Sequence, residues 1–251
     1  MVVRRRLDAE LARRGLVASR TEAQQLIDER RVLVAGTLAQ KAARQVAPDE
    51  PLEVLGPPAR FVGRGGHKLE HALETFGIDV AGLRVLDAGA STGGFTDCLL
   101  QRGAREVVAV DVGHGQLHER LVGHPAVVNL ERTNVRTLDV ETIGGPVDAV
   151  VADLSFISLR LVVGAFVRVC EPGGPMVLLV KPQFEAGRAE VSRGRGVIDD
   201  PAVWARVRDE ITAALAAAAC EVRGWTDSPL LGADGNREFL VHASAPARAT
   251  T

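Results

Sequence analysis

The chain has 251 residues, enough for one ordinary α/β domain and one small module, and its 46% hydrophobic content can fill both cores. No apolar run reaches the roughly eighteen residues of a membrane-spanning helix, and Met1 to Arg6 passes straight into charged sequence without a secretory apolar region. These features predict a soluble, cytoplasmic protein. The formal net charge of -2 hides an asymmetry: residues 1–68 hold thirteen Lys/Arg against eight Asp/Glu, and the remainder is acidic, so a polyanion would dock at the amino-terminal part.

Two short helices open the chain. Leu7, Leu11 and Leu16 lie at near-helical spacing from Leu7 to Gly15, and Ser19 with Glu22 reads as the capping box of a second helix. Arg31 to Val34 reads as a strand, Ala35-Gly36 as a turn, and Pro51 to Leu55 as a closing strand before the Gly56-Pro57-Pro58 break. Residues 1–56 therefore form one unit and 57–64 a linker. The pattern Leu7-Asp8, Leu11, Arg13, Ser19-Arg20, Ala23, Ile27, Val32, Val34-Ala35-Gly36 and Lys41 resembles the S-four-type RNA-binding domain of a small-subunit ribosomal protein and of many RNA-modifying enzymes. The basic residues Arg4, Arg5, Arg6, Arg13, Arg14, Arg20, Lys41 and Arg64 are the candidate RNA contacts, and phosphate contacts position an RNA without reading its sequence. The unit has no aromatic side chain to stack bases, so shape and backbone recognition is expected.

From Leu83 onward, apolar strands alternate with helical stretches as in a parallel doubly wound sheet. The strands fall at Arg84 to Asp87, Val107 to Asp111, Val127 to Leu130, Ala149 to Asp153 and Met176 to Lys181. A helix over Pro201 to Ala219 follows, and Glu221 to Trp225 with Arg237 to Ala243 can close the sheet antiparallel. Seven strands with such an antiparallel ending resemble the usual Rossmann-like architecture of class I methyltransferases, which implies a domain of that class over residues 65–251.

The first of these strands runs into Asp87-Ala88-Gly89-Ala90-Ser91-Thr92-Gly93-Gly94-Phe95-Thr96, where glycines let backbone approach a ligand at the carboxyl edge of the sheet. The spacing is not GxGxxG. An acidic residue precedes the turn and no cation attends it, which suits a cationic, phosphate-free ligand such as S-adenosylmethionine. Asp111, with Val112 behind it, is placed to accept ribose hydroxyls, a device that NAD enzymes share. Asn134 admits two roles, adenine contact or turn cap.

Charges close two apolar strands over the same crevice: Asp153 in Val-Val-Ala-Asp-Leu-Ser-Phe-Ile-Ser and Lys181 in Val-Leu-Leu-Val-Lys-Pro-Gln-Phe-Glu. Methyl transfer to a sugar hydroxyl needs such groups, to hold in-line geometry and to bear charge developing on oxygen. Together with Arg64-Gly65-Gly66-His67-Lys68-Leu69, the glycine loop, Ala152 to Ser158 and Lys181 to Glu185 resemble the TlyA family over almost the whole chain.

That resemblance implies 2'-O-methylation of cytidine ribose in 23S, and in some members 16S, ribosomal RNA, with S-adenosylmethionine as cofactor. It implies a Lys-Asp-Lys-Glu tetrad at Lys68, Asp153, Lys181 and Glu238. Lys181 is expected beside the target hydroxyl, oriented by both Asp153 and Glu238, and acting as a general base or as an electrostatic stabiliser. The implied partners are ribosomal RNA and ribosomal subunits, with neither membrane nor DNA, and the chain is expected to be a monomer. Phe61 stands where relatives often carry a linker Trp. Family members that modify one or both subunits differ in their end extensions; the Arg-rich start favours both subunits and the short carboxyl end favours one.

Arg188, Arg193 and Arg195 in the Gly-rich stretch 187–196 fit either a substrate loop or a linker. Cys98, Cys170 and Cys220 lack zinc or disulfide spacing, and the histidines at 67, 71, 114, 118 and 124 lack metal-ligand spacing, so no metal is expected. An older haemolysin label names a second class, a membrane-active protein, but no basic amphipathic helix rich in aromatics supports it. A third class, a catalytically silent assembly factor on ribosomal RNA, would lack a complete tetrad.

Overall fold

The computed structural model describes residues 4–17, 20–56, 60–187, 190–191, 194, 196–232 and 235–247. It divides into two compact units, residues 1–64 and 65–251.

In the smaller unit, helices α1 (Leu7–Arg13) and α2 (Arg20–Asp28) cover a three-stranded antiparallel sheet of order β3-β2-β5, made of β2 (Val32–Val34), β3 (Thr37–Leu38) and β5 (Leu52–Val54). A second pair joins β1 (Arg5–Arg6) to β4 (Gln45–Val46). Ala35 and Gly36, both at positive φ, make the two-residue turn that lets β3 double back on β2. Leu7, Leu11, Ala23, Leu26, Ile27, Val32, Val34 and Val46 form the core. Leu16 departs from its expected place on the first helix. Gly15 turns left-handed at φ +67, its amide and that of Leu16 close back on the carbonyls of Ala12 and Leu11, and the helix ends in a Schellman motif. Leu16 is left exposed and Val17 enters the core instead. The Ser19 cap expected for α2 lies outside the described residues.

The larger unit is built on a seven-stranded sheet of order β11-β12-β10-β9-β6-β7-β8. Its strands are β6 (Arg84–Ala88), β7 (Glu106–Val110), β8 (Val127–Leu130), β9 (Ala149–Ala152), β10 (Pro175–Val180), β11 (Glu221–Asp227) and β12 (Phe239–Ser244). Strands β6 to β10 are parallel, and β12 and β11 return antiparallel. The inner parallel strands β6, β7, β9 and β10 are buried on both faces, which explains their apolar runs, whereas the edge strand β8 is only partly buried. Helices α3 (Gly65–Phe76), α4 (Gly94–Gln101), α5 (Val163–Val169), the short α6 (Pro182–Glu185) and α7 (Pro201–Ala217) complete the unit. One apolar cluster runs from Leu86, Val108 and Val150 through Phe166 and Leu178 to Val207, Ile211 and Val241. The chain proceeds from β6 to β7 and β8 on one side and then returns to β9 and β10 on the other, so the carboxyl ends of β6 and β9 flank a crevice.

Candidate active site at the carboxyl edge of the sheet

The glycine loop is shaped by close backbone approach. Gly89 has φ +85, and a Cβ there would lie 2.4 Å from the Asp153 carbonyl oxygen, so only glycine lets the end of β9 pass. Gly93, at φ +94, begins α4 where a Cβ would meet Leu121 at 2.2 Å. Asp111 reaches across from the end of β7. Its Oδ2 accepts from the Ser91 amide at 2.9 Å and its Oδ1 from the Gly113 amide at 2.6 Å.

Asp87 lies beneath this loop, fully buried. Thr96 Oγ1 donates to its Oδ2 at 2.6 Å, and Oδ1 is buried without a hydrogen-bond partner. Burial pushes its carboxyl up to about 7; the Thr96 bonds oppose the rise, while nearby Asp153 and Asp111 add to it. Asp87 therefore acts on the loop from below. Like Gly93 and Thr96, it is not among the residues that line the cleft.

The cleft itself has a volume of about 1200 Å³ and is walled by Gly89, Ser91, Asp111, Val112, Asn134 and Asp153 together with Phe156 and Phe184. A smaller cavity of about 190 Å³ also touches Gly89, Ser91 and Asp153, and adds Ala90, Thr92, Gly94, Phe95, Gly65 and Lys181. The Asn134 side chain accepts from the Arg136 amide at 3.0 Å, so it caps a turn while also lining the cleft.

The tetrad forms two ion pairs. Val180 pairs with Phe239 across β10 and β12, which sets Lys181 beside Glu238 just beyond the paired residues. Glu238 nevertheless joins Lys68 of α3, Oε2 to Nζ at 2.5 Å, and both side chains are buried. Lys181 joins Asp153, Nζ to Oδ1 at 2.5 Å, and directs its hydrogen bond to Ser155 Oγ at 3.0 Å. Among the described residues, then, Glu238 pairs with Lys68 and Asp153 with Lys181, one carboxylate for each lysine. A Cβ at Gly65, one turn before Lys68, would lie 3.8 Å from Asp153 Oδ2, so the two pairs sit at one end of the sheet. A Cβ at Gly232 would collide with Glu238 Oε1 at 2.0 Å, which keeps that position free of a side chain.

Two aromatic side chains join the site without a signal of their own in the sequence. Phe156 is 91% exposed, sits at φ +64 and packs its ring 5.0 Å from that of Phe184, whose own ring lies 6.0 Å from Lys181 Nζ. A left-handed non-glycine residue costs about 1–2 kcal/mol, so the surroundings must hold it there. Both phenylalanines lie inside the strand-end motifs, where the charged residues are the conspicuous ones.

In the smaller unit, the candidate RNA contacts are organised by two buried acids of α1. Asp8 accepts from Arg6 at 3.0 and 2.9 Å, from Arg20 at 3.1 Å and from Gln24 at 2.9 Å. Glu10 gathers Arg13 at 2.8 and 2.5 Å, Arg14 at 2.9 Å and Arg5 at 3.7 Å. These guanidiniums hold both carboxyls well below the usual carboxylate range, the Arg6 bond being the largest influence on Asp8 and the Arg13 bond on Glu10. Arg14 differs from its neighbours: it also bonds the carbonyls of Glu50 and Ala47 and is only 20% exposed, so it braces the fold. Arg4 reaches the Gln45 carbonyl at 3.3 Å, and Lys41 and Arg64 are exposed. Arg188, Arg193 and Arg195 lie outside the described residues. Among the described residues no group of three or more His, Cys, Asp or Glu side chains converges to hold a metal, and no helix is long and apolar enough to cross a membrane.

The sheet order, the glycine loop and the lysine–carboxylate pairs define a class I methyltransferase fold, and the FtsJ-like methyltransferase family matches residues 61–245. The S4 domain family matches residues 5–52. The chain is 51% identical to the 16S/23S rRNA (cytidine-2'-O)-methyltransferase TlyA of Mycobacterium tuberculosis, over 96% of this chain and 90% of that one. It is 37% identical to Hemolysin A of Brachyspira hyodysenteriae over 94% and 98% of the two chains. A solved hemolysin-named chain from Streptococcus thermophilus superposes with a TM-score of 0.77 at 36% identity, covering 98% of this chain and 90% of its own. The chain therefore belongs to the TlyA family of FtsJ-like methyltransferases.

Proposed function

We propose that this protein methylates the ribose 2'-oxygen of cytidines in both 16S and 23S ribosomal RNA, using S-adenosylmethionine, as a cytoplasmic monomer. The observation that carries the reading is the Lys181–Asp153 pair at the mouth of the glycine-loop cleft. The relative at 51% identity, named for both ribosomal RNAs, supports the breadth.

The residues present fit the cofactor. The loop from Gly89 to Phe95 leaves open backbone, Asp111 is preset by two amides, and Asp87 keeps a buried, unpartnered oxygen that a nearby positive charge would compensate. Val112 and Asn134 extend the same wall toward an adenine. When bound, S-adenosylmethionine supplies a methyl group made electrophilic by its sulfonium. Lys181 Nζ, steadied by Asp153 and Ser155, takes the 2'-hydroxyl proton or stabilises the charge on the target oxygen as that proton passes to solvent, so that transfer leaves a neutral ether. Lys68, paired to Glu238, fixes the neighbouring sugar. A cytidine whose 2'-oxygen reaches Lys181 finds its stacking surface in Phe156 and Phe184, the aromatic platform that the smaller unit lacks. The smaller unit grips phosphates through Arg5, Arg6, Arg13 and Arg20, and residues 57–64 link it to the catalytic unit.

Incubating the protein with methyl-labelled cofactor and unmodified ribosomal subunits, then digesting the RNA to nucleosides, tests the reading. Label in 2'-O-methylcytidine from both subunits is expected. Cofactor binding without transfer would instead show a catalytically silent assembly factor.

A further inference from the structure

The backbone from Asp153 to Leu159 carries Ser155 and Phe156 along one wall of the cleft, yet among the described residues the amides of 154–158 make no hydrogen bond to another backbone group. Its near end is tied by the Asp153 amide to the Ala88 carbonyl at 3.0 Å. Its far end is tied to the opposite wall at Glu185, through that side chain and through Arg160. Glu185, 5% exposed and one helical turn after Lys181, accepts from Ser158 Oγ at 2.5 Å and from the Leu159 amide at 2.7 Å. Arg160, from the same wall as Ser158, lies 3.5 Å from the Glu185 carboxylate, donates to the Glu185 carbonyl at 3.0 Å and pairs outward with Glu210 at 2.8 Å.

We propose that Glu185 is a positioning residue for methyl transfer: by clasping Ser158 and Leu159 it holds Ser155 on Lys181 and Phe156 on Phe184. The inference rests on the proposed reaction and adds a residue to it. A carboxylate suits the task because its two oxygens accept from a hydroxyl and an amide at once. The strained φ of Phe156 supplies the need, since a wall that loses the Glu185 bonds to Ser158 and Leu159 is freer to relax out of that conformation. Burial raises the Glu185 carboxyl above its ordinary value, which marks a group kept in place despite its desolvation.

The test compares methyl transfer to ribosomal subunits by wild type, Glu185→Ala, Glu185→Gln, Phe156→Ala and the Glu185→Ala/Phe156→Ala double variant. We expect Glu185→Ala to lower kcat by about 100-fold, the scale set by small misplacements of reacting groups, while KM for RNA and the Kd of S-adenosylhomocysteine stay within about threefold. Glu185→Gln keeps an acceptor for the Leu159 amide but not one for the Ser158 hydroxyl, which already accepts from Arg160, and should recover part of the rate. The double variant should be no slower than the worse single variant, since both act through one wall. Unchanged kcat in Glu185→Ala, or losses that multiply in the double variant, would overturn the inference. Should Glu185→Ala fail to fold, Ser158→Ala removes one tie alone: a roughly fivefold loss of kcat supports the inference, and full activity overturns it. Wild-type protein that transfers no methyl group to RNA overturns the proposed reaction and this inference together, whereas active wild type with fully active variants overturns this inference alone.

Discussion

Both units hold cations on buried carboxylates, but they do so at opposite depths. In the smaller unit Asp8 and Glu10 are buried while Arg5, Arg6, Arg13 and Arg20 remain about half exposed, their outer faces turned to solvent. In the catalytic unit Lys68 with Glu238 is buried on both sides, and Lys181 with Asp153 is half-buried. The first arrangement preorganises a grip for phosphates, screened by salt and strengthened with each added cation. The second sets charge deeper in the fold, less screened by solvent, where few groups exert a large effect on a reacting atom. Depth separates binding from chemistry more clearly than residue type does.

Breaking the buried pair should give the largest change in stability. Lys68→Ala leaves Glu238 charged and uncompensated, a loss of about 3–5 kcal/mol, read as a lowered midpoint in thermal or denaturant unfolding. Lys68→Met with Glu238→Leu should recover much of that stability without recovering methyl transfer. Recovery of both would show that the pair is only structural.

Asp87 should give a smaller change, tied to pH. Its folded value of about 7 lies above the ordinary 3.8, so the folded cofactor-free protein binds more protons than the unfolded chain across that window. Stability should fall as pH rises from about 4 and level off above about 7, by a few kcal/mol at most. Asp87→Asn should flatten the curve, as measured by denaturant midpoints in a pH series; an unchanged curve would show that the carboxyl titrates normally.

Removing exposed arginines should have the mildest effect. Arg6→Ala and Arg20→Ala should each weaken binding to ribosomal RNA by about tenfold or less, and each should reduce the slope of log K against log salt by about one for every phosphate no longer neutralised. Folding should be preserved and kcat at saturating RNA unchanged. Arg14→Ala, by contrast, should lower stability more than affinity, because Arg14 braces the carbonyls of Ala47 and Glu50.

The contrast between the units also governs what is legible in the sequence. The parallel strands announce themselves through apolar runs such as Val107 to Val110 and Met176 to Val180, and the charges that end them mark the crevice. The pairing of Lys68 with Glu238 is not legible, because 170 residues separate the partners and only the β10–β12 register and the placement of α3 bring them together. Asp8 and Glu10 look like ordinary helix-surface acids; their burial depends on how α1 packs. Phe156 and Glu185 lie inside recognisable motifs, yet a left-handed φ and a hydrogen bond between two cleft walls leave no periodic signal.

The central claim is that Lys181 contributes to the chemistry rather than to holding the RNA. Steady-state methyl transfer by Lys181→Ala, with S-adenosylhomocysteine affinity measured alongside, tests it most directly. A fall in kcat of about 10²–10⁴ with RNA KM and cofactor affinity within a few-fold of wild type is the predicted result. A raised KM with kcat unchanged would contradict it.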